Sequence, residues 1–461
     1  MSMFNDAAEA APIMAASTAT DRARWLRAIA DTLDAHAEEL VTLADEETHL
    51  GTVRLTGEVA RTTGQLRLFA DVVLEGSYCE ATIDHAVPDA TPPRPDLRRV
   101  LRAIGPVAVY AASNFPFAFS VAGGDTASAL AVGCPVVVKA HPGHPRLSRR
   151  TAELVADALR EAGAPAGSFS LVEGYEAGVA LVQDPTIRAA AFTGSVAGGR
   201  ALFDLAAARP DPIPFFGELG STNPVVVTEE ADAARGADLA TGLAASFTLG
   251  AGQFCTKPGL VLVPRDSALE RSIVSHVPAS VHQLLTDSIS DGFARGRDSL
   301  LALPGVETVA AGDAVIAAVD AAALTGDMLD EVFGPLTLLI RYGSRDELVE
   351  TLGRLEGSLT ATLHAEPGED VSALLPLLEE LAGRVLFSGW PTGVAVTWSQ
   401  HHGGPWPSTT SQHTSVGATA VRRFLRPIAY QDAPDALLPE SLREGNPLGI
   451  PRRVDGALHT L

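Results

Sequence analysis

Apolar residues at helical spacing open the chain. Trp25, Leu26, Ile29, Leu33, Leu40 and Leu43 recur every three or four positions or in multiples of them. This pattern predicts one amphipathic helix over residues 20–47, with Thr20 or Asp21 placed to cap its start. A second helical stretch is expected over 57–74. The proline-rich run 88–95 breaks the pattern, and 97–104 beyond it reads as an extended arm. The period then changes. Short unbroken apolar runs at 107–111, 136–138, 168–172 and 189–192 alternate with helical segments at 124–131 and 147–161. Strands buried on both faces lose the polar–apolar alternation, so this succession predicts a parallel sheet with crossover helices. Runs at 225–227, 260–263, 336–340 and 385–387 predict a second α/β unit. The tail from residue 422 carries Pro427, Pro434, Pro439, Pro447 and Pro451 and is expected to lie extended on a surface.

With 461 residues, of which 46% are hydrophobic, the chain exceeds a single core, and two or three domains are expected. A formal charge of -22 argues against nucleic acid and anionic membrane as partners. No run reaches the roughly 20 apolar residues of a membrane span. Residues 1–20 lack the basic segment of a secretion signal. The 3 cysteines rule out a disulfide framework or a multi-cysteine metal site, and the expected compartment is the reducing cytoplasm. The adjacent His401 and His402 read as loop residues, because no carboxylate or cysteine stands near them at ligand spacing; no metal is expected.

Cys255 carries the first chemical signal. It sits in Gly-Ala-Gly-Gln-Phe-Cys-Thr-Lys-Pro-Gly, residues 250–259, just before a strand-like run. A free cysteine is often simply a small buried hydrophobe, and only its company argues otherwise. Glu218 lies in Gly-Glu-Leu-Gly, where a carboxylate close to a thiol activates it or a water; a solvated loop residue is the plain alternative. Asn114 in Ser-Asn-Phe-Pro follows a strand and offers an amide to a developing oxyanion, unless it merely forms a turn. Of the 34 basic residues only Lys139 and Lys257 are lysines. Lys139 ends a valine strand, the edge at which doubly wound sheets bind ligands. Phe-Thr-Gly-Ser at 192–195 ends another strand, with Gly199 five residues after Gly194, as in turns that admit a pyrophosphate; the spacing also suits an ordinary turn. Glu331 and Phe333 stand in Glu-Val-Phe-Gly-Pro, again on a turn.

In this order, Asn114, Lys139, Phe-Thr-Gly-Ser, Glu218, Cys255 and Glu331 with Phe333 resemble the aldehyde dehydrogenase superfamily over nearly the whole chain. Within it the chain is most similar to the α-ketoglutaric semialdehyde (2,5-dioxopentanoate) dehydrogenases. The segments 61–70, Gly-Ser-Thr-Asn-Pro at 220–224, Gly-Trp-Pro-Thr-Gly at 389–393 and Asn-Pro-Leu-Gly at 446–449 carry that likeness. The resemblance implies a Rossmann-like cofactor domain (1–80 and 105–216), an α/β catalytic domain holding the nucleophile (217–415), and a small β-arm (81–104 and 416–461) that builds a homodimer or homotetramer. It implies that Cys255 attacks the aldehyde, that Asn114 and the Cys255 amide hold the oxyanion, and that Glu218 activates the hydrolytic water after hydride has left. It implies NADP or NAD as cofactor, with Lys139 at the adenosine ribose or its phosphate, Gly194, Ser195 and Gly199 at the pyrophosphate, and Glu331 and Phe333 at the nicotinamide ribose. NAD-using relatives place a glutamate three residues after this lysine; here that position is Pro142, so NADP is expected to serve at least as well. Arg61 and Arg67 are expected on the helix lining the substrate tunnel, with Arg61 pairing a distant carboxylate of the aldehyde.

The chain departs from the family pattern in two places. It starts almost directly at the first long helix, and the stretch between Cys255 and Glu331 is short. Three other readings stay open at this point: a CoA-acylating reductase on the same scaffold, a thioester hydrolase or esterase working from Cys255, and a non-catalytic relative.

Overall fold

Three β-sheets organise the chain. The computed structural model describes residues 3–460. The first sheet has five parallel strands in the order Phe169–Val172, Val136–Lys139, Val107–Tyr110, Ala189–Thr193, Phe215–Glu218. Its central strands are short runs of valine and alanine buried on both faces. That burial is why they show no alternation in sequence. The carboxyl ends of three of them put Lys139, Thr193 and Glu218 along one edge.

Helices cover this sheet. Ala19–Ala35 and Thr52–Glu75 pack on each other, and Pro145–Glu161 packs on the former. The cap of the first lies earlier than expected: Thr18 and Asp21 form a capping box. The single helix predicted over 20–47 is two. His36 sits at φ -108, ψ 14, and Ala37–Thr48 continues beyond it. The apolar spacing survives the break, so the hydrophobic pattern did not reveal it. A further helix, Met3–Ala16, precedes them and contains Pro12.

The second sheet has seven strands in the order Glu307–Ala310, Val315–Asp320, Leu336–Tyr342, Leu260–Pro264, Val225–Val227, Ser358–His364, Ala382–Phe387. All pairings are parallel except that of the Glu307–Ala310 edge. Cys255 lies in the connection between the helix Glu229–Thr248 and the strand Leu260–Pro264.

The third sheet gathers distant segments. Leu425–Gln431, Leu97–Ala103, Thr82–Asp84, Arg452–Val454 and Ala457–His459 pair in that order. The tail is thus not only extended but hydrogen-bonded into a sheet. Before it joins that sheet, the chain passes back over the first one: Glu218 bridges Thr409, and Gly217 bonds Thr410. That return segment brings residues 402–415 to the edge where Glu218 ends. Among the described residues no helix is long and apolar enough to cross a membrane.

Candidate active site

The backbone before Cys255 is forced into a reversal. Gly250, Ala251 and Gly252 take φ of +55°, +56° and +68° in succession. Left-handed geometry suits glycine and strains alanine. At Gly252 a side chain is excluded on a second ground, since its Cβ would stand 2.3 Å from the carbonyl of Gly334. Two motifs far apart in sequence therefore touch through their glycines. Asn223 then fixes the loop: its amide donates to the carbonyls of Cys255 (2.8 Å) and Lys257 (2.9 Å). Its Oδ1 accepts from Ser221 and Thr360. Sequence reasoning used Asn223 only for likeness; the structure makes it the staple of the nucleophile loop.

Glu218 is buried beside the half-buried Cys255. Its Oε1 accepts from His402 Nε2 at 2.9 Å and its Oε2 from the Ser415 hydroxyl. Burial alone pushes this carboxyl up, but His402, Ser415 and Arg423 outweigh it and hold Glu218 below the usual carboxylate range. Cys255 is moved the other way: burial and the Glu218 charge push its thiol well above the ordinary value, against the pull of Arg61. Resting Cys255 is a thiol, and it needs help to ionise.

That help bears on a residue read as an ordinary loop position. His402 is buried, and its Nε2 lies 3.6 Å from Cys255 Sγ as well as against Glu218. His402 lies in a loop, as the sequence suggested, but a carboxylate and a thiol do stand beside it; these partners lie 147 and 184 positions away along the chain, which no local spacing displays. His401 stays outside the cluster. The ligand atoms of Glu218, Cys255 and His402 all lie within 4.8 Å of one another, close enough to share an ion. However, His402 Nδ1 is buried without the orienting partner that metal-bound imidazoles ordinarily have.

Asn114 stands at the same centre. Its amide donates to the Gln253 carbonyl at 3.1 Å, and its own carbonyl accepts from Arg54. One amide hydrogen is engaged, and the other has no partner among the described residues. Above it lies a cationic, aromatic wall. Arg54 covers Phe115 and Phe254, and Arg61 covers Phe115 and Phe119 at 5.7 and 5.3 Å. Arg61 makes no hydrogen bond or ion pair among the described residues, and its Nε is buried without a partner. Glu58, also buried, is engaged by the backbone amides of Phe117 and Ala118. Arg67 belongs elsewhere. It is 40% exposed and pairs with Asp31 and Asp34 on the outer face, so the expectation that it lines a tunnel is withdrawn. Six residues past Arg61 at about 100° each, it faces a different side of the helix.

The residues expected to hold a nucleotide fit that task in part. Lys139 is half-buried with no carboxylate within ion-pair distance among the described residues, and burial lowers its pKa. A half-buried unpaired ammonium at the carboxyl edge of a parallel sheet fits a phosphate or ribose. Ser195 caps the helix Val196–Ala207, accepting from the amide of Gly198. Gly194 packs on the ring of Phe192, where a Cβ would come within 2.7 Å. Gly199 has another duty: its Cβ would meet Leu219 at 2.1 Å, so it lets the helix sit close on the chain after Glu218. Glu331 faces inward. Its carboxylate lies over Gly220, burial pushes it up to about 7, and the Lys257 charge opposes that rise. Lys257 is bonded to the carbonyls of Val332 and Leu336 and is lowered to about 8 by the same burial. The second lysine is thus structural. Phe333 is half-buried beside them.

A family model described as aldehyde dehydrogenase family matches residues 1–291. The chain is 48% identical to alpha-ketoglutaric semialdehyde dehydrogenase 2 of Azospirillum brasilense, over 98% of this chain and 89% of that one. It is 45% identical to alpha-ketoglutaric semialdehyde dehydrogenase of Acinetobacter baylyi, over 96% and 88%. Among solved structures, aldehyde dehydrogenase 21 from Physcomitrella patens, in complex with the reaction product succinate, superposes with a TM-score of 0.77 at 22% identity, over 93% and 89% of the two chains. An NADP dependent enzyme of E. coli superposes with a TM-score of 0.76 at 23% identity, over the same shares.

Proposed function

Since the chain belongs to the aldehyde dehydrogenase family, whose members oxidise aldehydes with a nicotinamide cofactor, we propose that it converts 2,5-dioxopentanoate to 2-oxoglutarate through Cys255. The observation that supports an acidic aldehyde most directly is Arg61. The half-buried guanidinium makes no hydrogen bond or ion pair among the described residues and feels chiefly the more distant charge of buried Glu58, and a planar guanidinium suits a carboxylate through two parallel bonds. The names borne by the relatives at 48% and 45% identity point to the same substrate.

In this reading the Cys255 thiolate attacks the aldehyde carbon. Asn114 Nδ2 and the Cys255 backbone amide receive the oxyanion, a donor set whose loss ordinarily costs about 10²–10³ in rate. A bound nicotinamide supplies the hydride acceptor. The acyl group left on Cys255 is released by a water that Glu218 deprotonates. Lys139 and the Ser195 helix terminus hold the nucleotide. The absence of an acidic partner for Lys139, with Pro142 three residues on, supports NADP over NAD, because nothing there repels a 2′-phosphate.

The reading extends to a cytoplasmic enzyme, in keeping with three free thiols, and to a homodimer or homotetramer joined through the arm sheet.

The test is formation of reduced nicotinamide by the purified protein with 2,5-dioxopentanoate, with NADP and NAD in parallel, beside Cys255→Ala. Turnover is expected only with intact Cys255, and kcat/KM with NADP at least equal to that with NAD. No turnover with this aldehyde or with succinate semialdehyde, on either nucleotide, would sink the proposal and favour a non-catalytic relative.

A further inference from the structure

The turn His-Pro-Gly-His, residues 141–144, carries a donor that the nucleotide reading leaves without a task. His141 precedes a proline, which keeps its backbone extended. Lys139 ends its strand two positions earlier. Side chains two positions apart on an extended chain project to the same side, so both stand at the carboxyl edge of the first sheet. The Gly143 amide donates to His141 Nδ1 at 3.0 Å. A neutral imidazole has one lone pair and one N–H; with Nδ1 accepting, the proton is on Nε2. The ring is neutral, because burial, His144 and Lys139 push its pKa down to about 3. The companion imidazole is spent. His144 is buried, with Nδ1 on Ser148 Oγ at 3.1 Å and Nε2 on the Ala112 carbonyl at 3.0 Å. His141 is only half-buried, and its Nε2–H has no partner among the described residues.

The edge therefore presents donors: the Lys139 ammonium and the His141 Nε2–H. The one acceptor of the His141 ring is already taken by Gly143. The loop packed on Gly143 brings Leu285 and Thr286, neither of them charged. A ribose diol donates as well as accepts, and a carboxylate is its usual match. A phosphomonoester only accepts, through three oxygens that share a charge of about -1.5 to -2. We propose that the Nε2–H of His141 is a second donor to the 2′-phosphate of NADP, beside Lys139, and that it makes this edge select the phosphate instead of merely tolerating it. Hydrogen bonds to such an anion are the strong, charge-assisted kind. The proposal rests on the nucleotide reading, and concerns only the end of the nucleotide that NADP and NAD do not share.

Isothermal titration calorimetry of the full chain with NADP, NAD and 2′,5′-ADP, in phosphate-free buffer, tests this without turnover. His141→Asn places an oxygen where Nδ1 accepts from Gly143, so the turn is kept, but it has no donor at the reach of Nε2. Both His141→Asn and His141→Ala should weaken NADP and 2′,5′-ADP by about 10- to 100-fold, the range for a hydrogen bond to a charged group, and leave NAD unchanged. His141→Gln carries an N–H at the reach of Nε2 and should stay close to wild type. NAD affinity also reports that each variant is folded. Equal weakening of NADP and NAD would make His141 a support of the turn or the ribose and overturn the proposal. So would Asn binding NADP as tightly as wild type, or Gln binding it as weakly as Ala. Wild type that binds neither nucleotide would mark the failure of the nucleotide reading itself, and the proposal would fall with it.

Discussion

Arg61 shows how one side chain separates a substrate site from a structural one. Arg54 on the same helix bonds the Asn114 carbonyl, and Arg384 bonds the carbonyls of Pro391 and Gly393. Arg61 lies over the rings of Phe115 and Phe119 and makes no hydrogen bond among the described residues, with buried Glu58 as its main neighbouring charge. Charged hydrogen bonds are worth about 1.5–3 kcal/mol, so Arg61→Ala should raise KM for a carboxylate-bearing aldehyde by about 10- to 100-fold. Its kcat/KM for an uncharged aldehyde of similar length should stay within about threefold of wild type. Steady-state kinetics on the two substrates check this, and an equal loss on both would assign Arg61 to packing. Cys255, Glu218 and Asn114 could be singled out in the sequence because each stands in a short motif with local glycines or a strand end. His402 could not, because its meaning lies in contacts 147 and 184 residues distant. Arg67 was misread because a shared helix does not imply a shared face.

Among the elements, the buried strands Val107–Tyr110, Val136–Lys139, Ala189–Thr193, Val225–Val227 and Leu260–Pro264 were legible almost to the residue, since an unbroken valine or alanine run between turn signals suits a strand buried on both faces and is too short for a core helix; Phe215–Glu218, Val315–Asp320 and Ser358–His364 were not read as strands. The break at His36 was not legible, because apolar spacing is preserved across it. The element that matters most for chemistry, the turn 250–252, was legible only as glycine content; its tightness depends on Gly334, brought in from the opposite side of the nucleophile loop. Gly252→Ala combines a left-handed φ of +68° with a backbone contact that cannot yield. A cost of about 2–4 kcal/mol is expected, part conformational and part overpacking. Chemical denaturation should show the loss as a lower midpoint, and Cys255 alkylation should change with it, because the same turn sets the direction of the thiol. Gly305, at φ +85° on a surface turn, is the control. Alanine there carries the conformational penalty with only one close neighbour, the Cβ of Ala323 at 3.3 Å, and should leave alkylation unchanged.

At the scale of the molecule, the site exists only because three stretches of chain meet. The first sheet delivers Glu218, the loop leading into the second sheet delivers Cys255, and the return segment delivers His402 and Ser415 on its way to the third sheet. The third sheet ends in a short outer strand, Ala457–His459, which carries the exposed Leu458. A free strand edge of this kind is a place for another chain to pair. Each chain also carries a formal charge of -22, so two copies repel one another over distances comparable with the Debye length. Backbone pairing and apolar contact are short-ranged and are not screened. The proposed homo-oligomer should therefore assemble more tightly at about 0.15 M salt than at about 0.01 M, where the repulsion reaches about four times further. Sedimentation velocity across a dilution series at both salts measures this. Leu458→Asp should shift the population toward monomer without lowering the unfolding midpoint of the monomer. A wild-type chain that sediments as a monomer at both salts would leave the arm as a tail clamp only, tying Leu425–Gln431 to the strand Leu97–Ala103 and Arg452–Val454 to Thr82–Asp84.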